Sequence, residues 1–129
     1  MKTYSEFHDG FFEGIRSDKD MKVVHVYLST DRKVRTTAVL NGVLKLKAEG
    51  FEEGNIIFDV STRQSGEITL ADIAELYNLD STHEPKSWEN ELMDKIRDQH
   101  LQILEVNPSY GGQCLILAQT IEFRPGEDL

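Results

Sequence analysis

Four polar residues could take part in catalysis or ligand binding at one end of a predicted sheet: His8, Asp59, Glu105 and Tyr110. Asp59 and Glu105 each stand between apolar residues on predicted strands, and paired carboxylates facing across a cleft are what glycoside hydrolysis requires. His8 could act as an acid or base, and Tyr110 precedes two glycines whose amides could bind a ligand. The same carboxylates could equally lie on the solvent face of the sheet, so the pocket is one of two interpretations.

The segment Asn107–Gln113 (NPSYGGQ) joins two predicted strands. Proline and glycine supply turn conformations, and Asn and Ser side chains bond nearby backbone groups, as a hairpin connection requires. No phosphate-binding glycine motif is present, and the segment contains no basic residue. We therefore predict a structural turn with Tyr110 folded back over the strands. If the segment is a site, Tyr110 and the amides of Gly111 and Gly112 are its active parts.

Metal and nucleophile signatures are absent from the sequence. The four histidines are far apart and match no metal-binding spacing, so we predict neither a metal nor another cofactor. Cys114 is the only cysteine, which excludes an internal disulfide. It opens the apolar run CLILA, where a buried thiol has a raised pKa and packs as a small apolar group. These absences favour a protein that is not an enzyme.

An acidic helix is the second candidate site. A helix is predicted from Pro85 or Ser87 to His100, with a buried stripe of Trp88, Leu92 and Ile96. On the opposite side the helical spacing gathers four carboxylates: Glu84, Glu91, Asp94 and Asp98. Such a face would steer a basic protein partner toward the helix, although acidity can also serve solubility alone.

The distribution of charge along the chain also favours a basic protein partner. Residues 1–63 contain ten basic and ten acidic residues, whereas residues 64–129 contain four basic and thirteen acidic residues and so carry the entire net charge of −9. Nucleic acid and anionic membranes both require a positive surface, so we expect neither as a partner. The polar N-terminus lacks the features of a signal peptide, and with the single cysteine it predicts a cytoplasmic protein.

The first half of the chain reads as β-structure. Strands are predicted at Val23–Ser29, Val34–Leu40 and Val43–Ala48, and Asn41-Gly42 predicts a type I′ turn that completes a three-stranded meander. Phe11–Arg16 could add an edge strand with Gly14 as a bulge or a point of close packing. In the strand Ile56–Ser61, strict alternation places Ile56, Phe58 and Val60 on one face and Asp59 on the other.

The second half changes to a helical period. Thr69 and Asp72 form a capping-box variant that begins a helix over Thr69–Asn78, which we expect to dock through Leu70, Ile73 and Tyr77. Strands return at Leu101–Val106 and Cys114–Phe123. The prediction is therefore one α+β domain over residues 1–129: a mainly antiparallel sheet, as a sandwich or open barrel, with two helices inserted before the C-terminal hairpin.

Three phrases together resemble a group of small bacterial single-domain proteins of unknown function. They are HDG followed by FFEG (8–14), NGVLKLKAEGFEEGNIIFDV (41–60) and LEVNPSYGGQCLIL (104–117). The resemblance implies a compact cytoplasmic bacterial domain of mixed β and α structure. It supplies no activity, cofactor or catalytic residue.

The functional expectation is a non-enzymatic binding or regulatory protein, such as an inhibitor or immunity-type protein that uses the acidic helix face. The alternative is a small-ligand domain or hydrolase with a polar pocket at one end of the sheet. A subunit that assembles through its sheet edges is also compatible with the sequence.

Overall fold

The computed structural model describes residues 1–80 and 84–126. Two helices, α1 (Leu70–Leu76) and α2 (Ser87–Asp98), precede the last three strands, and all strand pairs are antiparallel. The strands of the described ranges are β1 (Lys2–Thr3), β2 (Phe11–Asp18), β3 (Val23–Ser29), β4 (Arg35–Asn41), β5 (Lys45–Glu49), β6 (Ile56–Arg63), β7 (Gln102–Tyr110), β8 (Gln113–Ala118) and β9 (Thr120–Pro125). This is the predicted α+β class, with both helices before the C-terminal hairpin.

Two bent strands join the ends of the sheet. The pairing order is β5-β8-β7-β6-β2-β3-β4-β9, and β1 pairs with β6. β9 continues β8 after the single residue Gln119, and β5 continues β4, so that β4 pairs with β9 and β5 pairs with β8. At the bend the Gln119 amide donates to the carbonyls of both Asn41 and Gly42. The sheet therefore curves back on itself as an open barrel.

The predicted hairpin at Asn41-Gly42 is wrong. A two-residue turn would pair β4 with β5, but β4 lies between β3 and β9. The Val43 amide instead donates to the Lys22 carbonyl, and the Leu44 amide donates to the Leu117 carbonyl. Gly42 does adopt the positive φ (63°) expected of it, but this conformation bends a continuing strand.

The alternation predicted for Ile56–Ser61 fails at its start. The register of β6 against β7 shifts between Ile56 and Ile57 and again between Ile57 and Asp59. Ile57 and Val60 consequently enter the core, while Phe58 is 54% exposed. A bulge adds an unpaired residue, so the side chains on its two sides no longer follow one two-residue period. The predicted irregularity in β2 is confirmed, because its register against β3 shifts between Phe12 and Gly14.

The sheet is buried on both faces where it meets the helices. Leu104 and Val106 of β7 point into the barrel core, and Ile103 belongs to a second core beneath the helices. The apolar run Cys114–Ala118 is divided in the same way: Cys114 and Ile116 face the barrel, and Leu115 and Leu117 face the helices. This confirms β8 as a central strand that is apolar on both faces.

The helices begin where predicted but bury partly different side chains. The Thr69 side chain accepts from the Asp72 amide, which confirms the capping box of α1. Ile73 is buried as predicted, but Leu76 is buried in place of Leu70, which is exposed. In α2, Ile96 is buried, whereas the predicted core residue Trp88 is 37% exposed. No helix of residues 1–80 and 84–126 combines the length and apolar character required to cross a membrane.

Candidate functional site

The exposed side of α2 carries the acidic residues predicted from the sequence. Glu91, Asp94 and Asp98 are exposed on the helix, and Glu84 is exposed just before it; we refer to these four residues as the acidic surface. At 100° per residue, the three helical carboxylates fall within about 60° of arc. Asp94 forms an ion pair with Arg97, one turn away. Lys95 and Arg97 flank the carboxylates, so the centre of the face is negative and its borders are positive.

The helix is held firmly beneath this surface. Ile96 is fully buried, and the buried Glu89 carboxylate accepts the Lys86 amide (3.2 Å) at the start of the helix. Glu89 occupies the buried position that the apolar spacing predicts for Trp88, and the tryptophan lies at the border of the exposed face. A helix fixed on one side presents the other as a preorganised surface.

Trp88 lies beside the acidic surface, one turn before Glu91. Its ring packs edge-on against Tyr77 of α1, with the ring centroids 5.3 Å apart. The Lys45 ammonium lies 5.2 Å from the centroid of the same Tyr77 ring. Burial raises the pKa of the Tyr77 hydroxyl. An exposed aromatic residue therefore adjoins the carboxylates, and sequence periodicity missed it because Trp88 falls within the apolar spacing of the helix.

Two of the four pocket candidates are linked by one amide. The Asn107 Nδ2 donates to Asp59 Oδ1 (3.0 Å) and to Glu105 Oε1 (3.1 Å). The Asn107 Oδ1 accepts from Gln113 Nε2 at 3.4 Å. The sequence correctly placed Asp59 and Glu105 on strands, but the residue that joins them lies in the segment predicted to be a turn.

Glu105 is only 7% exposed, and its carboxylate is neutralised by the partly buried Arg63. Arg63 Nη2 donates to Glu105 Oε1 at 2.8 Å, and its Nη1 lies 3.7 Å from Asp72 Oδ1 of α1. Arg63 therefore ties the first helix to the sheet. Two buried polar atoms, Ser61 Oγ and Arg63 Nη1, have no hydrogen-bond partner among the described residues. Arg63 was not recognised from the sequence, because its partners are 42 and 9 positions away.

Of the other two pocket candidates, His8 lies in the N-terminal segment against β6, and Tyr110 lies at the end of β7. His8 Nδ1 contacts the Phe58 carbonyl at 2.8 Å, and its ring packs edge-on against Phe58. Tyr110 pairs with Ile56 at the far end of β7. It is 53% exposed, so the prediction that it folds back over the strands is wrong.

Pairing between β7 and β8 ends at Val106 and Cys114, so residues 107–113 form the connection as predicted, although residues 107–110 also continue β7 by pairing with β6. Gly111 has φ 85°, which favours glycine. The buried Asn55 side chain holds this connection in place. Its Oδ1 accepts hydrogen bonds from the Gly112 amide and from the Glu52 amide, both at 2.7 Å. The connection is accounted for by these contacts without any ligand.

Cys114 lies in the barrel core, and its burial raises the pKa of the thiol to about 12. This confirms the burial predicted for Cys114. Among residues 1–80 and 84–126, no three His, Cys, Asp or Glu side chains come together as metal ligands would.

A cleft of about 600 Å³ opens between the N-terminal segment and the adjacent ends of β4 and β9. Tyr4, Phe7 and Phe123 form its aromatic floor, and the rings of Tyr4 and Phe123 are 4.4 Å apart. None of the four pocket candidates lines it. The cleft could not be found from sequence spacing, because its walls come from opposite ends of the chain.

Comparison with protein families, with curated proteins and with solved structures finds no match to this chain. The function is therefore inferred from its own surfaces.

Proposed function

We propose that this protein is a non-enzymatic binding protein that recognises a basic protein partner through the exposed side of α2. The observation that carries the proposal is the half-exposed Trp88 beside the carboxylates Glu91, Asp94 and Asp98, all on one anchored helix. An inhibitor or immunity-type protein is one regulator of this kind.

The carboxylates supply steering. Exposed charges of one sign attract an oppositely charged protein and raise its association rate, with an effect that salt screens. The flanking Lys95 and Arg97 limit the negative area to the centre of the face, which would favour a partner with a basic centre and acidic borders.

Trp88 supplies the anchor. Tryptophan is enriched among the few interface residues that carry most of the binding free energy. Its edge contact with Tyr77 limits the ring's motion before binding, so less side-chain entropy is lost when a partner covers it.

A hydrolase or small-ligand site at Asp59 and Glu105 has less support. Both carboxylates are engaged by Asn107, and Glu105 is also bound by Arg63. These contacts give each carboxylate a structural role, whereas His8 contacts the Phe58 carbonyl and Tyr110 pairs with Ile56.

The test is charge reversal of the helix face. In E91K/D94K/D98K the net charge changes from −9 to −3. Proteins captured from a lysate by the wild-type chain should not be retained by this variant at low salt. For a partner identified in this way, the association rate should fall on the order of tenfold or more, and its salt dependence should weaken.

The matched control is D31K/E52K/E53K, which makes the same charge change at exposed residues in two turns. It should capture the partner as the wild type does. W88A should leave the association rate nearly unchanged and accelerate dissociation by about tenfold or more. Equal loss of binding in the helix and control variants would refute recognition by this face.

A further inference from the structure

Among the described residues, β9 pairs with another strand on only one of its edges. It pairs with β4 from Thr120 to Pro125 and ends the pairing order of the sheet in the described residues. A strand edge with free backbone groups is a template for another strand. The C-terminal residues of β9, Phe123 to Pro125, also line the open cleft.

The register identifies the backbone groups on that edge. The Gly126 amide donates to the Arg35 carbonyl, and antiparallel pairs alternate between bonded and non-bonded. The even-numbered residues of β9 therefore turn their amides and carbonyls toward β4. Ile121, Phe123 and Pro125 turn theirs outward, although proline has no N–H to donate.

The side chains of β9 alternate between the two faces of the sheet. Ile121 and Phe123 pack against the barrel core, while Glu122 and Arg124 are exposed on the outer face. The Arg124 guanidinium donates to Glu122 Oε2 at 2.8 Å. The outer face of β9 thus presents an acid and a base two residues apart.

We propose that β9 pairs with β9 of a second copy of this chain, antiparallel and with the two-fold axis at Phe123. In this register Glu122 of each copy lies opposite Arg124 of the other, and opposite charges directly across two strands are stabilising. Each Phe123 amide donates to the Phe123 carbonyl of the other copy, and each Ile121 amide donates to the other copy's Pro125 carbonyl. The interface therefore contains four backbone hydrogen bonds, and the sheets of the two copies become continuous.

The charge order selects a second copy over a foreign strand. An antiparallel strand that satisfies both charges must read acid and then base in its own N-to-C direction, as Glu122 and Arg124 of β9 do, so a two-fold rotation of β9 supplies it. This charge match places the centre of the pairing at Phe123, and Pro125 ends the bonded segment because it offers no donor.

The first experiment is a charge swap measured by sedimentation equilibrium of the full chain across the micromolar to millimolar range. The wild type should form a dimer. E122R and R124E each place like charges opposite one another twice per dimer and should raise the dimer Kd by about tenfold or more. E122R/R124E restores opposite charges and should return the Kd to within about threefold of the wild-type value. Far-UV circular dichroism confirms that each variant is folded.

The second experiment tests the register. E122C and R124C proteins are mixed and mildly oxidised, because residues in a non-bonded antiparallel pair have Cα atoms about 4.5 Å apart, within disulfide range. The mixture should form a covalent dimer much faster than either variant alone; Cys114 is buried and contributes no background.

A wild-type chain that is monomeric throughout the range would overturn the proposal. A dimer that tolerates E122R and R124E alike, or that does not cross-link in the mixture, would place the interface elsewhere. Binding of an unrelated extended peptide to β9 without self-association would show that the edge serves a foreign strand, and would equally overturn it.

Discussion

Asn55 should contribute strongly to stability, because three hydrogen bonds depend on its buried side chain. Its Oδ1 accepts the Glu52 and Gly112 amides at 2.7 Å each, and its Nδ2 donates to the Phe12 carbonyl at 3.3 Å. It is 4% exposed. The side chain thereby joins the turn before β6, the β7–β8 connection and β2.

The expected loss in Asn55→Ala follows from these contacts. Three hydrogen bonds at about 1 kcal/mol each give about 3 kcal/mol. The Glu52 amide lies in an exposed residue and can bind water, but Gly112 is buried, so its unpaired amide adds about 1 kcal/mol. The total of about 4 kcal/mol is a large part of the roughly 5–15 kcal/mol that stabilises a typical domain.

Urea unfolding followed by circular dichroism measures the effect, with Asn41→Ala as the control at an exposed asparagine. The control should change the free energy of unfolding by less than about 0.5 kcal/mol. Asn55→Leu separates hydrogen bonding from packing, because leucine fills a similar space but leaves the same donors unpaired. Full stability in Asn55→Leu, or a loss below about 1 kcal/mol in Asn55→Ala, would refute the reasoning.

Three further predictions concern the interior. Gly111→Ala should destabilise the protein by at least about 1 kcal/mol more than Gly54→Ala in urea unfolding. Both glycines have positive φ, so both variants are strained. Only at position 111 would the added Cβ clash, 2.3 Å from Asn55 Oδ1, whereas a Cβ at position 54 meets nothing within 4 Å. Equal losses of unfolding free energy in the two variants would mean that the Asn55 side chain moves aside without cost. Arg63→Leu should cost about 3 kcal/mol by leaving the buried Glu105 carboxylate without its cation, and R63L/E105L should recover most of that loss in a double-mutant cycle; additive losses would show that the two side chains are not coupled. The pKa of Cys114 is raised from about 9 to about 12, so the folded state holds the thiol proton more tightly than the unfolded state and this contribution is lost as pH rises above 9. Between pH 8 and 10.5 the wild type should therefore lose about 2 kcal/mol more than Cys114→Ala, and parallel pH profiles would contradict the burial of the thiol.

Features encoded within a few neighbouring residues could be predicted from the sequence. The Thr69–Asp72 capping box and the start of α2 near Ser87 depend on groups three or four positions apart. The central position of β8 follows from its composition, because the run Cys114–Ala118 has no polar residue to face water. The exposed carboxylates Glu91, Asp94 and Asp98 follow from helical spacing alone.

Candidate-site features that depend on distant partners could not be predicted in this way. Trp88 fits the apolar period of α2, yet the docking angle of the helix buries Glu89 and leaves the tryptophan half exposed. The Arg63–Glu105 ion pair and the Asn107 bridge join residues that only the β6–β7 register brings side by side.

The sequence by itself determined the α+β class, the helix cap, the central strand and the acidic face, because each rests on local periodicity and composition. The tertiary structure alone decided that Asn41-Gly42 bends a strand, that β9 ends the sheet in the described residues, and that Asn55 holds the β7–β8 connection. The physical reason is that a glycine's positive φ permits several chain paths, and the path taken is selected by the hydrogen bonds and buried surface that distant strands provide.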